Sequence, residues 1–212
     1  MSTNAHHADS TSPLVLLGAG GHAKVVAQAI LACGRVVVGL YDDDPEPSAV
    51  TLVPGAVHLG ALAHAASEDR PMVLALGGLA LRRQILERLP KAIWGQVLHP
   101  SAVIGREVEI GQGALLAPRV VVNPSSVIGA HAILNTGAII EHDCAVGENA
   151  HIGPGAILCG GATIGANTLI GAGAVVLPGI RIGAGCMVGA GAVVTRQLAD
   201  GNRAIGVPAQ SS

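Results

Sequence analysis

The fold is read from Ile128-Gly129-Ala130-His131-Ala132-Ile133-Leu134-Asn135-Thr136-Gly137-Ala138-Ile139-Ile140-Glu141-His142-Asp143-Cys144-Ala145-Val146-Gly147. An aliphatic residue returns at every sixth place, at Ile128, Leu134, Ile140 and Val146, and a small side chain stands two residues ahead of each. Followed toward the N-terminus, the spacing runs through Val122, Leu116 and Ile110 to Ile104. Toward the C-terminus it continues through Ile152, Leu158, Ile164, Ile170, Val176, Ile182 and Val188 to Val194, sixteen places without a slip. Helices repeat every 3.6 residues and ordinary strands every two, so neither produces this pattern.

A fixed short period marks a solenoid in which each repeat buries its apolar side against the next. Six residues fit one side of a triangular parallel β-helix, a short strand followed by a corner, with three hexapeptides to a coil. Sixteen rungs then make about five coils and a column roughly 25 Å tall at the spacing of stacked strands. A glycine-rich antiparallel sandwich has no reason to keep a period of six. The glycine that often follows the inward residue, as in Ile110-Gly111 and Ile164-Gly165, is expected to supply turn dihedrals that a side chain opposes.

Sorted by phase in the coil, one corner is all glycine at Gly111, Gly129, Gly147, Gly165 and Gly183. A second becomes glycine only from Gly153 onward. The third abandons it after Gly105, carrying Asn123, Glu141, Cys159, Leu177 and Thr195. The richest polar cluster lies on that third corner, at Glu141-His142-Asp143, with Asn135-Thr136 before it and His151 after. A neutral imidazole takes the proton that an attacking amine or hydroxyl loses, and imidazoles ordinarily titrate near pH 6.5. Asp143 is expected to hold the other ring nitrogen only if the chain turns locally, since neighbours in a strand point oppositely. Glu141 is the alternative partner, and an exposed turn histidine is the alternative to a base. His131, His142 and His151 are a conceivable metal set, but His142 belongs to a different corner from the other two, and no metal is expected. Cys144 takes a small inward place and reads as a core thiol.

Ahead of the repeat, Leu14-Val15-Leu16-Leu17, the turn Gly18-Ala19-Gly20-Gly21-His22, a helix from Ala23 to Leu31 and Val36-Val37-Val38-Gly39-Leu40 read as strand, tight turn, helix, strand. A second round follows in Val57-His58-Leu59, a helical Ala61–Ala66, Met72-Val73-Leu74-Ala75-Leu76 and a helix from Leu79 to about Leu89. The chain therefore divides into a small Rossmann-like α/β domain over residues 13–96 and an all-β hexapeptide domain over residues 97–212. A glycine-rich turn that opens a helix brings backbone amides close to phosphate, and Asp42-Asp43-Asp44 offers acceptors for a ribose or a base. With no second catalytic domain besides the solenoid, a nucleotide here is part of a substrate rather than a hydride carrier.

Half of the 212 residues are apolar, aromatic residues amount to 1% and Gly numbers 30, so the core is narrow and built from small or branched aliphatic layers. A net charge of -2 with scattered basic residues excludes a nucleic-acid footprint. No run is long and apolar enough for a membrane span, and Met1 to Ser12 is a polar, His-rich arm without the features of a secretory signal. With neither signal nor span in view the expected location is the cytoplasm, and Cys33, Cys144, Cys159 and Cys186, which form no CxxC pair, are expected to be reduced and packed.

The chain resembles the sugar O- and N-acyltransferases that include the nucleotide-activated 4-amino-sugar N-acetyltransferases and the sialic acid O-acetyltransferases of bacterial surface-glycan synthesis. The resemblance spans roughly Pro13 to Gln210. It is carried by Gly18-Ala19-Gly20-Gly21-His22-Ala23-Lys24-Val25, Tyr41-Asp42-Asp43, Asn135-Thr136, Ile140-Glu141-His142-Asp143, His151-Ile152-Gly153-Pro154-Gly155 and the closing Gly206-Val207-Pro208-Ala209. It implies left-handed winding, a homotrimer with active sites between subunits, acetyl-CoA as acetyl donor and a nucleotide-linked amino sugar as acceptor. It further implies His142 as general base with Asp143 as its acid, although the family often carries glutamate there. His151 and the backbone at Ala172 and Ala190 would meet acetyl-CoA, and Gly20, Gly21, His22, Asp42, Asp43, Gly77 and Gly78 would line the nucleotide-sugar site. Transfer would be direct, without an acyl-enzyme. O-acetylation of sialic acid or another glycan hydroxyl, a nonenzymatic scaffold and a zinc hydratase are the competing readings.

Overall fold

A computed structural model describes residues 12–47, 51 and 53–211; the arm expected over Met1–Ser12 lies, apart from Ser12, outside the described residues. Two compact units follow one another, residues 1–97 and 98–212.

The first unit is a parallel sheet with helices. Strand β1 (Leu14–Leu17) leads into helix α1 (Gly21–Ala32), then β2 (Val37–Tyr41), β3 (Val57–Gly60), a 3-10 turn at Leu62–Ser67, β4 (Met72–Leu74) and α2 (Leu79–Arg88). The spatial order is β3-β2-β1-β4, all parallel. β1 is fully buried on both faces, which is why it reads as an unbroken aliphatic run. Successive strands spread to one side of β1 while β4 lies on the other, so the order reverses between β1 and β4. Open sheets of this kind bind ligands beyond the carboxyl ends of the strands at that point.

An ion pair ahead of β4 is linked to the end of β2. Glu68 accepts from Arg70 Nε and Nη2, both at 2.6 Å, and from the hydroxyl of Tyr41 at the end of β2 at 3.2 Å. The Arg70 guanidinium holds the Glu68 carboxyl down to about 2, with a smaller contribution from Tyr41, and the side chain is only 3% exposed. Because the folded pKa lies below the unfolded value near 4.5, the stabilisation is full above that value and is lost as pH falls toward 2. Glu68→Gln is therefore expected to cost about 2 kcal/mol of unfolding free energy at pH 7 and progressively less below pH 4. Urea titrations of both proteins at the two pH values measure this.

The second unit is a left-handed parallel β-helix. Two-residue strands run from Val103–Ile104 to Val193–Val194, and each pairs in parallel with the strand one coil on, as Ile140 does with Leu158 and Leu158 with Val176. From Leu116 to Val194 the second residue of every strand points inward and is at most 2% exposed. Ile104 and Ile110 are more exposed, having a paired strand on one side only. Ala132, Ala138, Ala150, Ala156, Ala162, Ala174 and Ala192 fill the small places between them, so the column is packed with no room for a larger ring.

The expected role of the corner glycines is corrected by the structure. Gly111, Gly129, Gly147, Gly165 and Gly183 do not have left-handed backbone; the left-handed residue comes two places later, as at Gly113, His131, Asn149 and Gly185. What excludes a side chain at the corner is the next coil. A Cβ on Gly129 would stand 2.7 Å from Glu148 N, and one on Gly153 2.7 Å from Ala172 N. The glycines let coils stack at strand spacing; they do not make the turn. The chain closes with Arg203–Ile205 and Gln210–Ser211, where Val193 N–H donates to Gly206 O and Ala209 N–H donates to Val193 O, leaving Val207 72% exposed.

Candidate active site

The strand Ile139–Ile140 ends in the turn Glu141-His142-Asp143-Cys144. Asp143 takes φ 59°, the left-handed region that aspartate tolerates better than most residues. That single rotation is what brings consecutive side chains together: His142 Nδ1 lies 2.7 Å from Asp143 Oδ2. Neighbouring coils hold the turn, with Asp143 N–H on Pro124 O at 3.1 Å and Gly161 N–H on His142 O at 2.9 Å. A carboxylate on Nδ1 keeps the proton there and leaves Nε2 as the basic nitrogen. The imidazole lies over Gly160, where a Cβ would stand 2.7 Å from both Cε1 and Nε2. Gly160 was not singled out from the sequence, yet it occurs 18 residues after His142, directly above it in the coil, and that phase relation is the signal that finds it.

Glu141, the alternative partner, is engaged elsewhere: its Oε2 accepts from Asn123 Nδ2 at 2.9 Å, one coil below on the same corner. Cys144 is 1% exposed, its Sγ donates to Cys159 O at 3.3 Å, and burial pushes the thiol pKa up, which makes it a poor nucleophile. Cys33, Cys144, Cys159 and Cys186 are all free thiols.

His151 stands on a different sheet, in the strand His151–Ile152, with Asn135 Nδ2 3.1 Å from its Nε2. Asn135 is oriented by Thr136, whose N–H donates to Asn135 Oδ1 at 2.8 Å. The turn beyond that sheet stacks Thr136, Pro154, Ala172 and Ala190 coil upon coil, through Gly155 N–H to Thr136 O, Gly173 N–H to Pro154 O and Gly191 N–H to Ala172 O. Ala172 and Ala190 are exposed, and no long side chain rises from this edge. Within one chain, then, His142 and Asp143 meet on one corner, His151 lies on the sheet opposite that corner, and Ala172 and Ala190 lie on the corner at the other end of the sheet that carries Ile139–Ile140.

In the first unit, Gly18, Gly20, Gly21 and His22 follow β1, Asp42 and Asp43 follow β2, and Gly77 and Gly78 follow β4, all at the carboxyl edge of the sheet. Gly18 has φ 103°, and a Cβ there would strike Leu76 of the β4–α2 turn. A side chain on Gly77 would approach His22 Cβ at 3.9 Å, so the two turns are neighbours. Gly20 and Gly78 are the N-caps of α1 and α2, and neither helix has a side-chain cap or an acidic residue in its first turn. Arg82, buried in α2 with burial pushing its pKa down to about 10, donates Nη1 to Leu76 O at 3.3 Å. The aspartates tie the loops: Asp42 accepts from Ala19 N–H at 2.5 Å and Asp44 N–H at 2.9 Å, and Asp43 Oδ1 from Leu62 N–H at 3.0 Å. Among the described residues no group of three or more His, Cys, Asp and Glu is placed to hold a metal ion, and no helix is long and apolar enough to cross a membrane.

Residues 13–89 match the family described as the PglD N-terminal domain, and residues 125–160 and 161–196 match the bacterial transferase hexapeptide with six repeats. No curated protein matches the chain in sequence. Among solved structures, PerB from Caulobacter crescentus in complex with CoA and GDP-perosamine is 38% identical, with 94% of this chain and 97% of that one covered and a TM-score of 0.85. GDP-perosamine N-acetyltransferase from the same organism, with one histidine replaced by alanine and CoA and GDP-perosamine bound, is 37% identical over 94% and 96% at a TM-score of 0.86. The acetyltransferase domain of PglB from Neisseria gonorrhoeae, in complex with acetyl coenzyme A, is 33% identical over 95% and 100%, also at 0.86. A small α/β unit with a glycine-rich turn, a hexapeptide β-helix and this degree of identity over nearly the whole length place the chain in the family of hexapeptide-repeat nucleotide-sugar N-acetyltransferases.

Proposed function

We infer that the chain carries out acetyl-CoA-dependent acetylation of a nucleotide-linked amino sugar. We propose that the acceptor is the 4-amino group, that the product serves surface-glycan biosynthesis in the cytoplasm, and that His142 is the general base. The observation that carries this reading is the exposed imidazole over Gly160 with its Nδ1 held by Asp143.

The exposed imidazole rests on the bare backbone of Gly160, and the edge at Thr136, Pro154, Ala172 and Ala190 gives a smooth track for the extended arm of the co-substrate. Bound acetyl-CoA supplies an acyl group activated as a thioester. His142 Nε2 accepts the proton that the sugar amine gives up, and Asp143 stabilises the imidazolium and fixes the ring. The amides at the starts of α1 and α2 face the nucleotide phosphates, where helix N-termini favour negative charge. His151, beside Asn135, faces the acetyl end.

Because His142 and the Ala172–Ala190 edge belong to different corners of one chain, a complete site calls for two chains. The face between those corners carries an outward stripe of Val103, Val121, Ile139, Ile157, Val175 and Val193, paired coil upon coil. Val103 is 62% exposed and the other five are half-buried. Packing these faces about a three-fold axis covers the stripe and sets one chain's His142 beside its neighbour's alanine edge. Free thiols accord with a reducing compartment.

The test is incubation with acetyl-CoA and a panel of GDP-, UDP- and dTDP-linked 4-amino sugars, read by thiol release and by mass gain of one acetyl group on the sugar. Light scattering of the same sample is expected to report a three-chain particle. Thiol release with free sialic acid and none of the nucleotide sugars would overturn the assignment.

A further inference from the structure

Most turns of the β-helix close in one way: the residue at the small inward place donates its N–H to the carbonyl three residues back. Ala138 does so to Asn135, Ala156 to Gly153, and Ala162 to Cys159 at 3.1 Å. The turn that carries His142 is built differently. Cys144 N–H donates to Ser126 Oγ at 3.2 Å, and Ser126 Oγ donates to Glu141 O at 2.9 Å. The hydroxyl of a residue one coil below is inserted between the two ends of the turn. Ser126 is fully buried and occupies a place where most rungs carry alanine.

Thr168 makes the same insertion elsewhere. Its Oγ1 accepts from Cys186 N–H at 3.0 Å and donates to Gly183 O at 2.7 Å, spanning the turn Gly183–Cys186. Between its ends that turn holds Ala184 and Gly185, and it carries neither histidine nor carboxylate. Among the described residues the brace at Ser126 and the brace at Thr168 share one design, and the first of them lies under the turn that carries His142 and Asp143.

We propose that Ser126 is a positioning residue for the transfer reaction, holding the Glu141–Cys144 turn open so that the His142 imidazole sits over Gly160 at the angle the acceptor amine requires. Ser126 touches neither substrate; it acts through the backbone of Glu141 and Cys144, which flank His142 and Asp143. Without the hydroxyl, Cys144 N–H and Glu141 O are free to bond each other, as Ala162 and Cys159 do in the coil above, and the turn narrows. A hydrogen bond is replaced rather than lost, so the fold survives while the imidazole moves. Displacements of about 1 Å at a reacting group cost up to about a hundredfold in rate.

The proposal rests on His142 being the base, and the experiment separates the two. Five proteins are compared, the wild type, Ser126→Ala, Ser126→Thr, Thr168→Ala and His142→Ala, each with acetyl-CoA and the nucleotide sugar that the panel identifies. The readouts are kcat, both KM values and the melting temperature. Ser126→Ala is expected to lose kcat by about tenfold to a hundredfold, with both KM values within about twofold of wild type. Thr168→Ala is expected to shift the melting temperature as much as Ser126→Ala does and to keep kcat. Ser126→Thr, which restores the hydroxyl in the form used at Thr168, is expected to recover kcat. Should Ser126→Ala fail to fold, Ser126→Cys keeps the volume with a weak acceptor and is held to the same expectation.

A kcat for Ser126→Ala within twofold of wild type, or an equal loss in Thr168→Ala, would overturn the positioning role while a large loss in His142→Ala left the base intact. Undiminished kcat in His142→Ala would overturn both.

Discussion

Replacing His142 with alanine is expected to lower kcat about a thousandfold and to leave the β-helix folded. General bases contribute between about a hundredfold and ten-thousandfold, and the middle of that range is expected where the ring is held by a carboxylate at 2.7 Å. The side chain is 64% exposed and packs on Gly160 alone among the glycines, so its removal opens no cavity in the column. Asp143→Asn keeps the size and removes the charge, and a smaller loss of about tenfold is expected because the ring remains present but loses its anionic partner. Thiol release at saturating substrates measures both variants, with thermal melts to show that the fold is unchanged. A His142→Ala enzyme within tenfold of wild type would remove the base from the mechanism.

A single methyl group at Gly160 is expected to cost about a hundredfold in kcat. The added Cβ would stand 2.7 Å from the imidazole, and the ring, being exposed, has somewhere else to go: it swings into solvent and Nε2 leaves the acceptor. The backbone of Gly160 is not left-handed, so Gly160→Ala should melt within a few degrees of wild type. Gly161→Ala is the matched control. Its φ of 71° makes any side chain strained, yet no side chain lies within reach of the added Cβ. It is expected to lose about 1 kcal/mol of stability and to keep kcat. Steady-state kinetics and thermal melts of the pair settle whether Gly160 is kept bare for the ring or for the fold.

The sequence made the architecture legible because each level of it has its own period. Inward residues at every sixth place could not be shared with a helix or a sandwich, and the alternation of buried runs with helical segments between Leu14 and Leu89 marked the parallel sheet within a residue or two of its observed limits. Helix α1 begins two residues earlier than expected, at Gly21, because the tight turn is complete by Gly20. The reason for the corner glycines was not legible, since the clash they avoid is with backbone 18 residues or more away, and a sequence read locally assigns glycine to turns.

The same distance hid the rest of the site. The pairing of His142 with Asp143 was foreseeable once a turn was allowed, and Asp143 supplies that turn through its own left-handed backbone. Choosing Asp143 over Glu141 required the contact between Glu141 and Asn123, which are one coil apart. Gly160 and Ser126 meet the His142 turn from the coils above and below. In a solenoid, the residues that shape a site stand one coil away, and reading the chain modulo 18 is the step that reaches them.

In the bound complex the acceptor amine is expected to meet His142 Nε2 on the open corner of the β-helix. A crystal structure of the protein with CoA and the nucleotide amino sugar that it turns over measures that distance directly. The expected separation between the amine nitrogen and Nε2 is about 3 Å, with the pantetheine arm along Ala172 and Ala190 of a neighbouring chain. An amine bound at another corner, beyond reach of that nitrogen even through one water, would contradict it.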